Sequence, residues 1–431
     1  MGCNNTNTMT HTPNSPIQSN AEACEASFIC GSSLDQILQQ GAQQMLATAI
    51  EAEVQQYIEK HSALLDRSGR RLVVRNGRLP SRRLQTSAGA IDVSQPRVND
   101  RREGKRFTSL ILPPYVRRSP TMDSLIPLLY LKGISTNDIP EALEPILGPG
   151  AKGLSAANIT KLTEGWHDEL QQWNNRSLQS KEYVYIWADG IYFNVRLSED
   201  RPCLLVLVGS LPDGTKEVVG FLDGERESKL SWKSLLLGLK KRGLSKAPKL
   251  AVGDGALGFW SALEEVFPGT RHQRCWVHKT ANILDKMPKK QQAHAKTRIH
   301  EIYLSATRKE AEEAFDEFLD LYQAKYPKSC ECLAKDREEL MAFYDFPAEH
   351  WAHLRTTNPI ESTFATVRHR HRQTKGNGSR KATLSMVFKL LMCAEKHWRR
   401  LRGYQLLDKV IKGVIFTDGI EQEKVAKEEA A

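Results

Sequence analysis

No stretch of this 431-residue chain approaches the roughly 20 consecutive apolar residues that a membrane span requires, so a soluble protein is expected. Cysteine is sparse and irregular. Its eight copies, at positions 3, 24, 30, 203, 275, 330, 332 and 393, show no spacing of a disulfide framework. The start, Met1-Gly-Cys-Asn-Asn-Thr6, lacks the apolar core of a secretory signal, which leads to the expectation of a reducing cytoplasm. Negative charge is in deficit: 51 Asp and Glu stand against 61 Lys and Arg, a net +10 that suits an anionic partner. The length excludes one compact core and predicts two to four domains.

The positive excess is concentrated. Between Arg67 and Arg106 twelve Lys and Arg, among them Arg70, Arg71, Arg75, Arg82 and Arg83, face three acids, a local net of +9. Neutralisation of phosphates rewards such clustering, which predicts DNA contact; a solvated basic surface is the alternative. Within it Leu72-Val-Val74 and Ile91-Asp-Val93 read as small strands, punctuated by Gly77, Pro80, Gly89 and Pro96. Residues 1–30, rich in Asn, Thr, Ser and Pro, read as a disordered tail, and residues 32–61 keep helical apolar spacing. From Thr121 to Trp173 the spacing is helical again. Two Gly turns followed by Ser or Thr suggest a helix-turn-helix, an ordinary helical hairpin being the alternative.

From Tyr183 the pattern becomes alternation. Strands are expected at 183–188, 191–197 and 203–208, the third extending towards 216–221, followed by a helix at 228–243 and a strand over Lys249-Leu-Ala-Val252. A helix at 256–265, a short strand at 270–274, a helical stretch from 280 to 345 and a helix carrying Glu361 complete the series. Three meandering strands, then helix, strand, helix and strand, is the order of an RNase H-like domain. The expected fold is therefore α/β: an RNase H-like catalytic domain interrupted by an all-helical insertion and preceded by a mostly helical DNA-binding region with a small basic β segment. The expected boundaries are a tail at 1–30, a DNA-binding region at 31–175, a catalytic domain at 176–279 and 351–415, the insertion at 280–350 and a charged tail at 416–431.

Three acids stand out against this pattern. Asp189 follows Tyr183-Val-Tyr-Ile-Trp-Ala188, Asp254 lies in a Gly-Asp-Gly turn, and Glu361 follows Thr356-Thr-Asn-Pro-Ile360 at a helix start. Each has a plain reading: Asp189-Gly190 as a hairpin turn, Asp254 as a helix cap, and Glu361 as the third position of a capping box begun by Asn358. Together they are the set that would hold two divalent metals about 3.5–4 Å apart and clamp a phosphodiester. Carboxylate oxygens suit a hard cation, so Mg2+ is expected, with Mn2+ as the substitute. Arg368 and Arg372 follow on the face of the Glu361 helix, with Lys375 just beyond. Arg274 either contacts phosphate or lines a helix. Cys275 and His278 make half a zinc site only if Cys330, Cys332 or His294 joins them. That spacing is irregular, so zinc is not expected and a packing or hydrogen-bonding pair is.

These residues resemble the Mutator-type transposases of bacterial insertion sequences, a DDE, RNase H-like family. The similarity is carried by Trp187-Ala-Asp-Gly-Ile-Tyr192, Val252-Gly-Asp-Gly-Ala-Leu-Gly-Phe-Trp260, Gln273-Arg-Cys-Trp-Val-His-Lys279 and Arg355-Thr-Thr-Asn-Pro-Ile-Glu-Ser-Thr-Phe-Ala-Thr-Val-Arg368, with Leu112-Pro-Pro-Tyr-Val-Arg-Arg118 upstream. The resemblance implies that Asp189, Asp254 and Glu361 are the catalytic metal ligands and that Cys275 and His278 form the family's Cys-x2-His signature. It implies an amino-terminal region that recognises terminal inverted repeats, and cleavage followed by strand transfer into target DNA. Holding two element ends implies a homo-oligomer, working in a bacterial cytoplasm at the nucleoid. A nuclease of the same fold that does not join strands, and a DNA-binding regulator without catalysis, are the rival readings.

Overall fold

The computed structural model describes residues 33–135, 137–147, 154–192, 203–224, 227–255, 257–373 and 379–422. They form two compact units, one running to Ile126 and including Asn137–Asn158, the other comprising Pro127–Thr136 and everything from Ile159.

The first unit opens with α1 (Ser33–Lys60) and continues through β1 (Val73–Arg78), β2 (Arg82–Thr86), β3 (Gly89–Val93) and β4 (Pro96–Asp100). β1 pairs antiparallel with β4 and β2 with β3. Four strands thus stand where two short apolar runs were read. Only alternate residues need face the core, so a strand such as Arg82-Arg-Leu-Gln-Thr86 passes as a charged loop in sequence. The core is small: Ile50, Leu84, Ile91, Val93 and Leu112. Two further helices follow, α2 (Pro120–Lys132) and α3 (Ile139–Leu147), before α4 (Ala156–Asn174).

The second unit is built on one mixed sheet of order β7-β6-β5-β8-β9. β5 (Tyr185–Tyr192), β6 (Cys203–Ser210) and β7 (Lys216–Gly224) form an antiparallel meander, and β8 (Leu250–Gly253) and β9 (Arg271–Arg274) add in parallel on the other side of β5. α5 (Lys229–Lys241) connects β7 to β8, and α6 (Leu257–Val266) connects β8 to β9. Asp189-Gly190 does not end a strand. β5 runs through it, with Asp189 opposite Val206 and Gly190 opposite Leu205, because pairing with β6 carries the backbone past a dipeptide that in isolation favours a turn. Ile191 and Tyr192, expected in a separate strand, belong to β5, while 193–197 lie outside the described residues.

Alternation along β5 sorts the core into two sides. Tyr185, Trp187 and Ile191 join one cluster with Leu354, Ile360, Phe364 and Val367; Ile186 and Ala188 join another with Leu236, Leu239 and Leu263. Beyond β9 the chain is helical: α7 (Trp276–Leu284), α8 (Lys289–Leu304), α9 (Arg308–Tyr322), α10 (Pro327–Ala334), α11 (Arg337–Met341) and α12 (Trp351–Leu354). The break before α9 is written in sequence, since Thr307 and Glu310 form a reciprocal capping box. α13 (Asn358–Gln373) and α14 (Arg380–Glu395) follow, then α15 (Leu407–Ile411) and an antiparallel pair, β10 (Phe416–Thr417) and β11 (Ile420–Glu421), at the start of the stretch expected as a charged tail.

Candidate active site

The parallel register of β5 and β8 sets Ala188 opposite Gly253, so Asp189, within β5, and Asp254, just past the end of β8, are the next residues along neighbouring strands. Such strands lie about 4.8 Å apart. Asp189 shares the odd-numbered face of β5 with Tyr185 and Trp187, the face packed against the α12–α13 segment. Two hydrogen bonds stitch that face down: the Trp187 Nε1–H donates to the His353 carbonyl at 2.9 Å, and the Tyr185 hydroxyl meets His350 Nδ1 at 2.8 Å.

Asp189 is 8% exposed, and burial pushes its carboxyl up to about 6. The charge of His278 and the Gly190 N–H, which donates to Oδ1 at 2.8 Å, oppose that rise, while Asp254 and Glu361 add to it. All three acids and His278 therefore lie within electrostatic reach of one another.

Glu361 occupies the first turn of α13, as read from sequence, but the capping arrangement differs from the one expected. Its Oε1 accepts from the Thr357 hydroxyl at 3.1 Å and lies 3.7 Å from His278 Nε2. His278 is itself pushed up to about 9, first by the Cys275 side chain and then by the charges of Asp189 and Asp254, against its burial. Cys275, Thr357 and the end of β8 form one joint. The Cys275 N–H donates to the Gly253 carbonyl at 2.8 Å, and its sulfur accepts from the Thr357 N–H at 3.3 Å. One buried residue thus ties the backbone preceding Asp254 to the residue that holds Glu361, which gives the Cys-x2-His spacing a physical role.

Among the described residues, Cys275, His278 and Glu361 are the set of three whose ligand atoms all lie within 4.8 Å of one another. The charges of Asp254 and Glu361 both act on the Asp189 carboxyl. The donor set fits a hard divalent ion, being carboxylate oxygens from two neighbouring interior strands and the helix packed on their face. The other zinc candidates lie in contacts of their own: the Cys330 thiol donates to the Leu319 carbonyl, and His294 bonds the Tyr322 hydroxyl.

A fourth carboxylate, which sequence reading passed over, belongs here. Glu227 precedes α5, and a Cβ built on Gly190 would stand 2.0 Å from its Oε1. A larger residue at 190 would displace the Glu227 side chain from this position. Burial and the charges of Asp254 and Asp189 push Glu227 up to about 7. In sequence it sits in Glu225-Arg-Glu-Ser-Lys229, which reads as a solvated charge run.

The residues expected at DNA divide. Arg70, Arg71, Arg75 and Arg83 are exposed, Arg75 paired with Glu51 and Arg83 3.4 Å from Asp92. Arg82 is half-buried and donates to the Leu112 and Pro113 carbonyls at 3.1 and 3.0 Å. Arg274 is turned inward, 7% exposed; Nη1 donates to the Asp254 carbonyl at 2.8 Å, and Asp336 lies 3.5 Å from Nη2. It braces the Asp254 carbonyl from the end of β9 and does not line a helix. Arg368 is exposed on α13, Arg372 belongs to the same helix, and Lys375 lies outside the described residues.

Comparison with known proteins agrees with the sequence resemblance. The family model of the Mutator-family transposases matches residues 15–401. The transposase for insertion sequence element IS6120 of Mycolicibacterium smegmatis is 50% identical over 298 residues, 69% of this chain and 92% of that protein. The transposase for IST2 of Acidithiobacillus ferrooxidans is 50% identical over 280 residues, 65% of this chain and 95% of that protein. More distant is the transposase for IS256 in transposon Tn4001 of Staphylococcus aureus, 27% identical over 77% of this chain and 84% of that protein. The chain belongs to the Mutator family of transposases.

Proposed function

We propose that the protein is a DDE transposase that cleaves DNA at the ends of its insertion sequence and joins them to target DNA, using Asp189, Asp254 and Glu361 as the acids of an RNase H-like domain. In this reading the helices between β9 and α13 are the insertion, and two or more copies act together to hold both ends. The observation that carries the reading is the β5–β8 register, which sets Asp189 beside Asp254 on the side where α13 delivers Glu361.

Asp189, Asp254 and Glu361 would hold a pair of Mg2+ ions, with Glu227 as an additional oxygen donor. Bound there, the cations supply charge neutralisation at the phosphodiester and favour the ionised form of the attacking hydroxyl. The remaining work falls to the chain. Cys275 and Thr357 fix the separation of the Asp254 and Glu361 backbones, Arg274 holds the Asp254 carbonyl, and His278 offsets the repulsion among the acids. Water attacks first and frees a 3′-hydroxyl, and the same acids then serve the attack of that hydroxyl on target DNA.

The test uses duplexes carrying the inverted repeats that flank the coding sequence, with Mg2+. Asp189→Asn, Asp254→Asn and Glu361→Gln should each lower cleavage by on the order of a thousand-fold or more while end binding in EDTA is unchanged. Ends joined covalently to a second duplex identify a transposase rather than a nuclease. Strong cleavage by folded Asp254→Asn protein would refute the assignment.

A further inference from the structure

The loop after the basic β segment holds a side chain that neither the acids nor the arginine cluster accounts for. Tyr115 has a φ of +68°, in the left-handed region that favours glycine, and it is 94% exposed. Leu110, five residues earlier, is 88% exposed, and Ile111 also faces solvent. A bulky residue held at positive φ persists only where its surroundings over-determine the backbone.

Here they do. Leu112 is buried in the small core of the first unit, with Val116 packed against it. Arg82 Nη2 donates to the carbonyls of both Leu112 and Pro113, and Pro113-Pro114 restrict φ on the approach to the ring. The Ser109 hydroxyl bonds Glu53, and the Leu110 N–H donates to Glu53 Oε1 at 2.6 Å. On the far side the Gln85 N–H donates to the Arg117 carbonyl at 2.9 Å, and the Ser119 N–H returns to the Gln85 carbonyl at 2.8 Å. Both flanks are fixed to the β2–β3 hairpin, and the tip carries an aromatic ring and a leucine into solvent. The flexible alternative, a floppy loop whose tyrosine happens to be exposed, does not describe a tip anchored on both sides.

The charge around the tip identifies the partner. Lys105, Arg106 and Arg117 on the same loop are exposed, and Arg83 is exposed on the hairpin that anchors it. An apolar protein surface would not call for this cationic frame, whereas a phosphate backbone does. We propose that Tyr115, with the exposed Leu110 on the same loop, is a wedge that enters DNA at a base step, stacking on the base it exposes while the flanking cations hold the phosphates. Arg82 is then a positioning residue for the loop rather than a phosphate contact. The proposal rests on the chain acting on DNA but not on the acid site, so binding measured in EDTA separates the two.

The experiment uses the full-length protein and a short fluorescein-labelled duplex of mixed sequence, with a matched duplex carrying 2-aminopurine to report unstacking. Tyr115→Gly suits the backbone and should melt no lower than the parent, and Tyr115→Asn, which also tolerates positive φ, serves if the glycine variant misfolds. Both should weaken binding by about ten-fold at fixed salt, with the slope of log Kd against log salt unchanged, since stacking releases no counterions. Tyr115→Phe should bind within about two-fold of the parent. The rise in 2-aminopurine fluorescence seen with the parent and with Tyr115→Phe should vanish with the other two. Unchanged affinity of Tyr115→Gly, a changed salt slope, or the absence of any 2-aminopurine rise with the parent overturns the proposal. So does a shift in oligomeric state by light scattering with DNA affinity intact, which would assign the loop to a second copy of the chain.

Discussion

In the amino-terminal unit Arg70, Arg71, Arg75 and Arg83 lie at the surface, whereas in the sheet unit Arg176, Arg242 and Arg274 turn inward and direct their donors at backbone carbonyls. Arg176 and Arg242 serve a defect in the sheet. The β6–β7 register slips between Leu207 and Val208, and the Val219 carbonyl left by that bulge accepts from both guanidinium groups. Arg274 does the same for the Asp254 carbonyl. The two sets differ in what their donors meet: the four surface arginines face solvent, while the three inward ones complete backbone bonding at the β7 bulge and at the Asp254 carbonyl, as Arg82 does for the Leu112 and Pro113 carbonyls. Net charge alone cannot separate those roles.

The sharpest test of the inward role is Asp336. It is 6% exposed, pairs with Lys279 and lies 3.5 Å from Arg274, so Asp336→Ala strands two buried cations. The expected loss is about 3–5 kcal/mol of unfolding free energy, read by urea denaturation, because breaking a buried pair leaves an uncompensated charge. A loss as small as that of a surface substitution would mean that the arginines of the sheet unit are not structural.

Cys275 comes next. Cys275→Ala removes the acceptor of the buried Thr357 N–H and opens a small void, with an expected cost of about 2 kcal/mol. Cleavage should fall more than end binding does, since the joint it loosens lies between Asp254 and Glu361. Equal losses in both would reduce Cys275 to a packing residue.

How much of this was legible beforehand follows the same division. Local chemistry was readable: the helix starting near Glu361, the strand before Asp254 and the helix at 229–241 stand close to where spacing put them. Misreadings came where tertiary partners decide. Asp189-Gly190 looks like a turn until β6 pairs along it, and Arg82-Arg83 look like a loop until Leu84 beside them joins the core. Glu227 is indistinguishable from a surface acid until the fold brings it over Gly190. Nothing local distinguishes Arg274 from Arg71; only the Asp254 carbonyl and Asp336 do.

A pH experiment probes the stitched face of β5. Burial first, then the charges of Lys216, His350 and Arg402, push His353 down to about 4. Unfolded, the same ring takes its proton near 6.5, so the unfolded state binds more protons between these values and stability falls as pH drops through them. For a group that is only half-buried the expected share is about 1–2 kcal/mol by pH 4.5. His353→Gln, whose amide oxygen can still accept from the Arg402 N–H, should lose less stability than the parent between pH 7 and 4.5, measured by urea midpoints. Identical acid sensitivity would place the titrating group elsewhere.

The smallest effect on stability belongs to the outward arginines, and there the readout must change. Arg71 is exposed, so Arg71→Ala should alter unfolding free energy by less than about 0.5 kcal/mol. Its consequence should appear in the salt dependence of DNA binding. One lost phosphate contact reduces the slope of log K against log salt by about 0.9, whatever the sequence of the duplex. Tyr115→Gly should do the reverse, lowering affinity with the slope intact, so the two variants of one small unit resolve its electrostatic and stacking contributions. If Arg71→Ala left the slope unchanged and instead destabilised the fold, the contrast between outward and inward arginines would fail at its simplest point, because an exposed cation with no structural duty would have proved to have one.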